Sequence, residues 1–378
     1  MDSRLWRTSR SASANRSYPL QTVVEAHLQL RLRCTLVVHF IIMWRSVATI
    51  LIAAILSASC NGLVQRSRVS RIRQRGFLVC GVFPGIAGFA QVDSQGRYSG
   101  FDIDICRAVA AAVVGSAERI RYQPVASIDR FQRSNDIDIV SRRLTWSLRR
   151  EGMHVLFGPV TFYDGQGFLV GEHLHANHTT DLAGVPVCVA GNSEHDVTLT
   201  AYFRRHQIPL DKVAVADGPA AGRALAEGRC QAFSADVSEL ASVRSTMENP
   251  RGFRILDDRI SQEPLAQLVR QEDVDLFNVL RWTVFAMIAA EDLGVTSANV
   301  SEMEARNDPD IARLLGVSAG NGAALGLDEA WARHVITEVG NYGEVFERNL
   351  GMATPIALER GPNALWTRGG LLFAPPLK

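Results

Sequence analysis

Guanidinium and hydroxyl groups crowd one short stretch of this chain: Ser141, Arg142, Arg143, Thr145, Ser147, Arg149 and Arg150 fall within ten residues. An apolar run at 137–140 precedes them and reads as a β-strand, so the donors gather at its carboxyl end. Open α/β sheets bind ligands at that end. An arginine fork matches a planar anion through two parallel hydrogen bonds, so the chemistry expected is capture of a carboxylate. A second strand region punctuated by Gly and Asp follows, Phe157-Gly-Pro-Val-Thr-Phe-Tyr-Asp-Gly-Gln-Gly-Phe-Leu-Val170. Trp146 fits either a stacking contact with a ligand or core packing. Asp236, after a strand at 231–234, fits a helix N-cap by type and position.

Other chemistries find less support. The nine His show no metal-ligand spacing; His173, His175 and His178 share a polar loop. There is no Cys-x-x-Cys, and no metal or cofactor is expected. Ser193, His195 and Asp196 are neighbours on one helix and cannot adopt the geometry of a hydrolase triad.

The positioning elements alternate. A strand at 77–82, a Gly-rich loop at 83–100, a helix at 101–114 with Gly115 as its stop, and strands at 119–123 and 137–140 suggest a βαβ sheet. The pattern restarts after Gly171: strands at 185–189, 213–216 and 231–234, and helices at 194–206, 220–226 and 236–247. A strand at 265–270 and a long, largely buried helix at 274–292 follow, then helical segments near 299–305, 309–315 and 328–349. This pattern predicts one lobe built from 66–168 plus 264–378, with a second lobe, 169–263, inserted into it. Two chain crossings then join the lobes and favour hinge motion.

With 378 residues, 47% hydrophobic and 21% charged, the chain is globular and long enough for two domains. Its net charge of +1 is uneven: residues 1–60 hold seven Arg against Asp2 and Glu25, and the remainder carries 33 basic and 37 acidic residues. A mildly acidic body argues against a nucleic-acid partner. The first 60 residues read as a leader. Met43-Trp-Arg45, an apolar run at 47–56 and Ser57-Ala-Ser-Cys60 have the order of a secretory signal, with Met43 as the expected start. The run is shorter than the ~20 residues of a membrane span. Cys60 also fits a lipid-attachment point, and an uncleaved anchor is the third alternative. Of six cysteines, Cys34 and Cys60 fall in the leader. Cys80, Cys106, Cys188 and Cys230 suit an oxidising compartment. Pairing 188–230 and 80–106 would keep each bridge within one lobe, although four free thiols satisfy the sequence too.

Several stretches resemble a known family. They are Arg75-Gly-Phe-Leu-Val-Cys-Gly-Val82, Gly100-Phe-Asp-Ile-Asp-Ile-Cys-Arg-Ala-Val-Ala-Ala-Ala112, Tyr163-Asp-Gly-Gln-Gly-Phe168, Gln262-Glu-Pro-Leu265, Val269-Arg-Gln271, Arg281-Trp-Thr283, Ala286-Met-Ile-Ala-Ala-Glu291, Val339-Gly-Asn-Tyr-Gly-Glu-Val-Phe-Glu-Arg-Asn349 and Ala364-Leu-Trp366. In order along the chain, they resemble the periplasmic solute-binding proteins of polar amino-acid ABC transporters (solute-binding family 3), most of all the general L-amino-acid-binding proteins. The resemblance implies an α/β two-lobe clamshell of the type II periplasmic-binding-protein kind. It implies no enzymatic activity, a free amino acid as ligand, a membrane permease as partner, a monomer and a periplasmic location. It further implies that Arg150, five residues after Thr145, binds the ligand carboxylate and that Asp236 receives its ammonium. The turn Gly191-Asn-Ser193-Glu194 would cradle the carboxylate with backbone N–H groups, and the loop at 83–89, beginning with Phe83, would wall the side chain.

The same resemblance exposes departures at the site. Arg143-Leu144 replaces an Asn-Thr pair, Gly191-Asn-Ser-Glu194 replaces Ser-Gly-Thr-Thr, Phe83-Pro84 stands where polar residues are usual, and the segment before Asp138 is about two residues short. Glu194 near a ligand carboxylate is repulsive unless it pairs, and Arg143 is the expected partner. The alternatives are a diverged copy with altered binding of a small carboxylate, a dehydratase-like enzyme using Glu194, and a periplasmic sensor.

Overall fold

The structure is a computed structural model that describes residues 67–378. The expectations for the leader, including Met43 and Cys60, lie outside the described residues.

The chain begins with α1 (Arg68–Arg75) and β1 (Leu78–Val82), passes a small hairpin of β2 (Gln91–Val92) and β3 (Tyr98–Ser99), and enters α2 (Phe101–Val114). Next come β4 (Ile120–Pro124), α3 (Ile128–Arg133), β5 (Ile139–Thr145), the one-turn α4 (Leu148–Glu151) and β6 (Val155–Asp164). A second unit holds β7 (Gln166–Gly171), β8 (Pro186–Ala190), α5 (Glu194–Arg205), β9 (Asp211–Val215), α6 (Gly218–Ala226), β10 (Ala232–Asp236), α7 (Val237–Ser245) and β11 (Phe253–Ile255). Then β12 (Glu263–Arg270) and α8 (Val274–Asp292) return to the first.

Two five-stranded sheets result, ordered β4-β1-β5-β12-β6 and β11-β7-β10-β8-β9. In the first sheet β1 runs parallel to β4 and β5, and β12 runs antiparallel to both β5 and β6. The chain therefore leaves the first sheet at Asp164 and rejoins it at Glu263. The crossing is tight at Gly165, where a Cβ would fall 2.6 Å from the Ser261 carbonyl oxygen, just before the returning strand.

Most elements follow the sequence pattern, and α8 matches its expected limits. Apolar residues at helical spacing bury nearly all of α2 between the first sheet and the helices α8, α12 (Trp331–Glu338) and α13 (Tyr342–Asn349), numbered after α9 (Val300–Glu304), α10 (Pro309–Leu314) and α11 (Asn321–Leu325). Gly100 caps α2 with φ 128°, and a Cβ there would meet the Phe89 carbonyl oxygen at 2.3 Å, so only glycine fits.

Three expectations are corrected. The strand expected at 137–140 runs on through Arg142 and Arg143 to Thr145, because Leu144 and Thr145 pair with Ala266 and Leu265 of β12. The single helix expected at 328–349 is two, split at Gly340 (φ 99°), with Asn341 and Glu344 forming a capping box for the second. The helix expected as largely buried at 274–292 buries one face only: Leu276, Val279, Leu280, Val284, Met287 and Ile288 fill the core, while Phe277, Trp282 and Phe285 are half-buried at its margin.

Cys80 on β1 is bonded to Cys106 on α2, and Cys188 on β8 to Cys230 just before β10. Each bridge pins elements of one sheet unit. Loops of this length are worth roughly 3–4 kcal/mol by unfolded-state entropy.

Candidate functional site

Charged residues at the carboxyl end of β5 meet residues at the amino ends of α5 and α7. Arg150, on α4, donates to the Thr145 carbonyl oxygen at 2.9 Å, which fixes its stem. Its guanidinium also lies 3.8 Å from the Glu194 carboxylate at the first position of α5. The next residue, His195, sets its Nε2 3.1 Å from Asp236 Oδ1. Asp236 occupies the N-cap position of α7 but makes no cap hydrogen bond, and its carboxylate meets His195 instead.

Arg143 does not pair with Glu194. It has φ 52°, a left-handed conformation inside a strand, at the place where β5 shifts register against β12. From there its guanidinium donates to Ser238 Oγ in the first turn of α7 and lies 5.5 Å from the centre of the Phe89 ring. The partner of Glu194 is Arg150 because Arg143 is committed to the other helix.

Arg142 lies 4.9 Å over the Phe83 ring and donates to the Ala126 carbonyl oxygen at 2.6 Å. Burial lowers its pKa, and so do the positive charges of Arg150 and Arg143 beside it. Three guanidiniums thus crowd together at the end of β5 and the turn after it. Ser193 caps α5: its Oγ accepts from the Asp196 N–H at 3.1 Å and donates to the Ala190 carbonyl oxygen at 2.6 Å. Its hydroxyl is therefore occupied. Trp146 stacks on Phe157 at 6.3 Å and donates to Glu151 Oε2 at 3.1 Å, which ties its ring to its own lobe.

Helix α7 carries much of the contact between the two sheet units. Ser238 meets Arg143, Ser242 Oγ accepts from the Ala87 N–H at 2.9 Å, and Arg244 donates to the carbonyl oxygens of Ile356 and Ala357 at 2.8 and 3.0 Å. Ser238, Ser242 and His195 have no distinctive sequence signal, since each looks like an ordinary helix residue. Behind Arg143, Ser141 donates to buried Asp102 at 2.8 Å, and Gln267 Nε2 donates to Ser141 and Thr161 at 3.1 and 3.0 Å. Burial pushes Asp102 up to about 6, against the Ser141 hydrogen bond and the charges of Arg143 and Arg142. Burial acts against His195 charging, but Asp236, then Glu239 and Glu263, outweigh it and hold its pKa above the ordinary imidazole value.

Asp164 stands where the first crossing leaves β6. Its Oδ1 accepts the N–H of Gly165 at 2.9 Å and of Ser238 at 3.3 Å, while Oδ2 is buried without a partner. Burial, then the negative charge of Asp236, push it up to about 7. A carboxyl whose folded pKa is raised adds stability fully present below its unfolded pKa of 3.8 and lost as pH rises through about 7. Asp164→Asn should remove that loss. Urea denaturation at pH 5 and pH 8 is expected to show the variant gaining on the wild type at pH 8 by on the order of 2 kcal/mol. An equal difference between the two proteins at both pH values would contradict the assignment. A cavity of about 950 Å³ also reaches Asp164, with Arg244, Arg259, Glu263 and Arg360 in its wall. None of Thr145, Arg150, Asp236, Ser193, Glu194, Phe83 and Trp146 lines it.

No group of three or more His, Cys, Asp or Glu among the described residues could hold a metal ion. No protein-family model matches the chain. The general L-amino acid-binding periplasmic protein AapJ of Rhizobium johnstonii is 40% identical over 331 residues, 86% of this chain and 97% of that protein. The glutamate/glutamine/aspartate/asparagine-binding protein BztA of Rhodobacter capsulatus is 39% identical over 327 residues, 85% and 97% of the two chains. Among solved structures, an ABC transporter periplasmic binding protein from Brucella ovis with glutathione bound has a TM-score of 0.76 at 38% identity. It covers 83% of this chain and all of that one. With near-full-length identity at this level and two five-stranded α/β sheets joined by two crossings, the chain belongs to the family of amino-acid-binding periplasmic proteins of ABC transporters and has their type II clamshell fold.

Proposed function

We propose that the chain binds a free L-amino acid between its lobes, which divide at the crossings 164–165 and 262–263 rather than at 168–169 and 263–264, because β7 already belongs to the second sheet, and delivers it to an ABC-transporter permease. The observation that carries this reading is the opposition of charges. Arg142, Arg143 and Arg150 crowd the end of β5 in one sheet unit, and Asp236, with Asp164 near it, stands at the start of α7 in the other. A zwitterion taken out of water needs both a cation and an anion partner. Charge-assisted hydrogen bonds of ~1.5–3 kcal/mol each, several at once, supply the affinity of a scavenger. In this reading Arg150 takes the carboxylate and Asp236 the ammonium. Phe83 with its stacked Arg142 walls the side chain, and Trp146 buttresses the Arg150 turn from behind. The protein works in the periplasm as a monomer, exported by the leader that ends near Cys60.

It acts as a binder and not a catalyst. Glu194, the acid/base a dehydratase would use, is 87% exposed and already paired with Arg150, whereas a general acid/base needs a sheltered position against the substrate.

A second reading has one observation in its favour. Three guanidiniums exceed the need of a single carboxylate, and the Brucella ovis relative holds glutathione, which carries two. Calorimetric titration of the mature protein with the L-amino acids, glutathione and two dicarboxylates decides between them. One-site heats with amino acids, and recovery of the ligand unchanged, are expected. Heats with glutathione alone would select the second reading, and chemical conversion of the ligand would reject both.

A further inference from the structure

The two groups that the amino-acid reading assigns to the ligand are both occupied by the protein's own side chains. Glu194 meets Arg150 at 3.8 Å and His195 meets Asp236 at 3.1 Å. These two residues are consecutive at the start of one helix. One presents a carboxylate and the other an imidazole, and they reach the same two partners that a free amino acid would touch with its two ends. We propose that Glu194 and His195 form a built-in substitute for the ligand, so that an incoming amino acid must displace them and they set the affinity and selectivity of the site. The inference rests on the assignment of Arg150 and Asp236 to the ligand.

The backbone that carries the pair is fixed. Ser193 caps it through Asp196 and Ala190, and buried Gln166 donates from Nε2 to the His195 carbonyl oxygen at 2.9 Å. The fixed backbone keeps both side chains within reach of their partners, which makes them standing competitors for the site. The two halves differ in strength. The Arg150–Glu194 pair is long and open to solvent, and such pairs are weak. The His195–Asp236 pair is shorter and sheltered, with Glu239 and Glu263 adding to the field that favours the imidazolium. His195 is therefore the stronger barrier. Every amino acid brings its α-carboxylate to Arg150 against Glu194, and a ligand with a second carboxylate adds a further like charge.

The test is calorimetric titration of wild type, Glu194→Gln, His195→Ala and the double variant with L-glutamine and L-glutamate. Glu194 is largely exposed, and His195→Ala keeps the carbonyl that Gln166 holds, so both variants retain the fold. Removing a competitor raises apparent affinity by the reciprocal of the fraction of site it had left free: about threefold for Glu194→Gln and about tenfold for His195→Ala are expected. Glu194→Gln should also favour L-glutamate more than L-glutamine. Tightening of this kind supports the inference, as does binding in the double variant when the wild type shows none. A wild type that binds, with variants that bind equally or more weakly, overturns it and leaves the amino-acid reading standing. Absence of binding by all four proteins removes both.

Discussion

Arg150→Met is expected to weaken amino-acid binding at least about 100-fold, the loss of two charge-assisted hydrogen bonds to a carboxylate. The substitution keeps the length and apolar stem of the side chain, so the loss falls on the guanidinium. Within the protein that group makes one hydrogen bond, to the Thr145 carbonyl oxygen, and one long ion pair to Glu194. Both are partly exposed, so the folded state should melt within a few degrees of wild type while calorimetric titration with L-glutamine loses its signal. Arg150→Lys should recover part of the affinity, because an ammonium restores the charge but not the two-pronged geometry. Undiminished binding by Arg150→Met would move the carboxylate site to Arg142 or Arg143.

Arg270→Met should cost the fold about 3–5 kcal/mol, as for other buried charges whose partners stay behind. Arg270 is 2% exposed and lies 4.2 Å over the Phe131 ring. It donates to the carbonyl oxygens of Ile137 at 2.7 Å, Phe131 at 3.0 Å and Ser134. These carbonyls belong to the shortened segment that ends α3 and leads into Asp138. The arginine thus does for that segment what a longer turn would otherwise do. Beside it, Asp138 accepts from the Val79 N–H at 2.7 Å and pairs with Arg75 and Arg68, while Asp273 holds Arg68 at 2.9 Å. A drop of roughly 10 °C in melting temperature is expected, with ligand affinity at 20 °C changed far less, because the network lies away from the gap. A melting temperature equal to wild type would show that the carbonyls find other donors.

The strands and helices were legible where local patterning decides them. Gly115 ends α2 as its type suggests, and the limits of α8 follow from its apolar run. Distant pairing decides the rest. Arg142 and Arg143 look like loop residues until β12, more than a hundred residues later, supplies partners for Leu144 and Thr145. The break at Gly340 carries its own signal in Asn341 and Glu344, a capping pair masked by the apolar residues on either side. At the site, resemblance alone points to Arg150 and Asp236. By itself Asp236 reads as a helix cap, which it is by position but not by hydrogen bonding. His195 was invisible as a site residue. Its imidazole earns a role only through Asp236, 41 residues away in the chain.

The order of strands in the first sheet bears on how the molecule matures. Strand β12 lies between β5 and β6, yet 98 residues of the other unit, 165–262, separate it from β6 in the chain. A polypeptide threaded across a membrane from its amino end delivers every strand of the second sheet as one uninterrupted stretch, able to assemble on arrival. The first sheet must wait with β5 and β6 apart and their facing edges bare until the whole second unit has passed, so the late-arriving β12 is the piece whose delay would leave this protein open to chaperones and proteases.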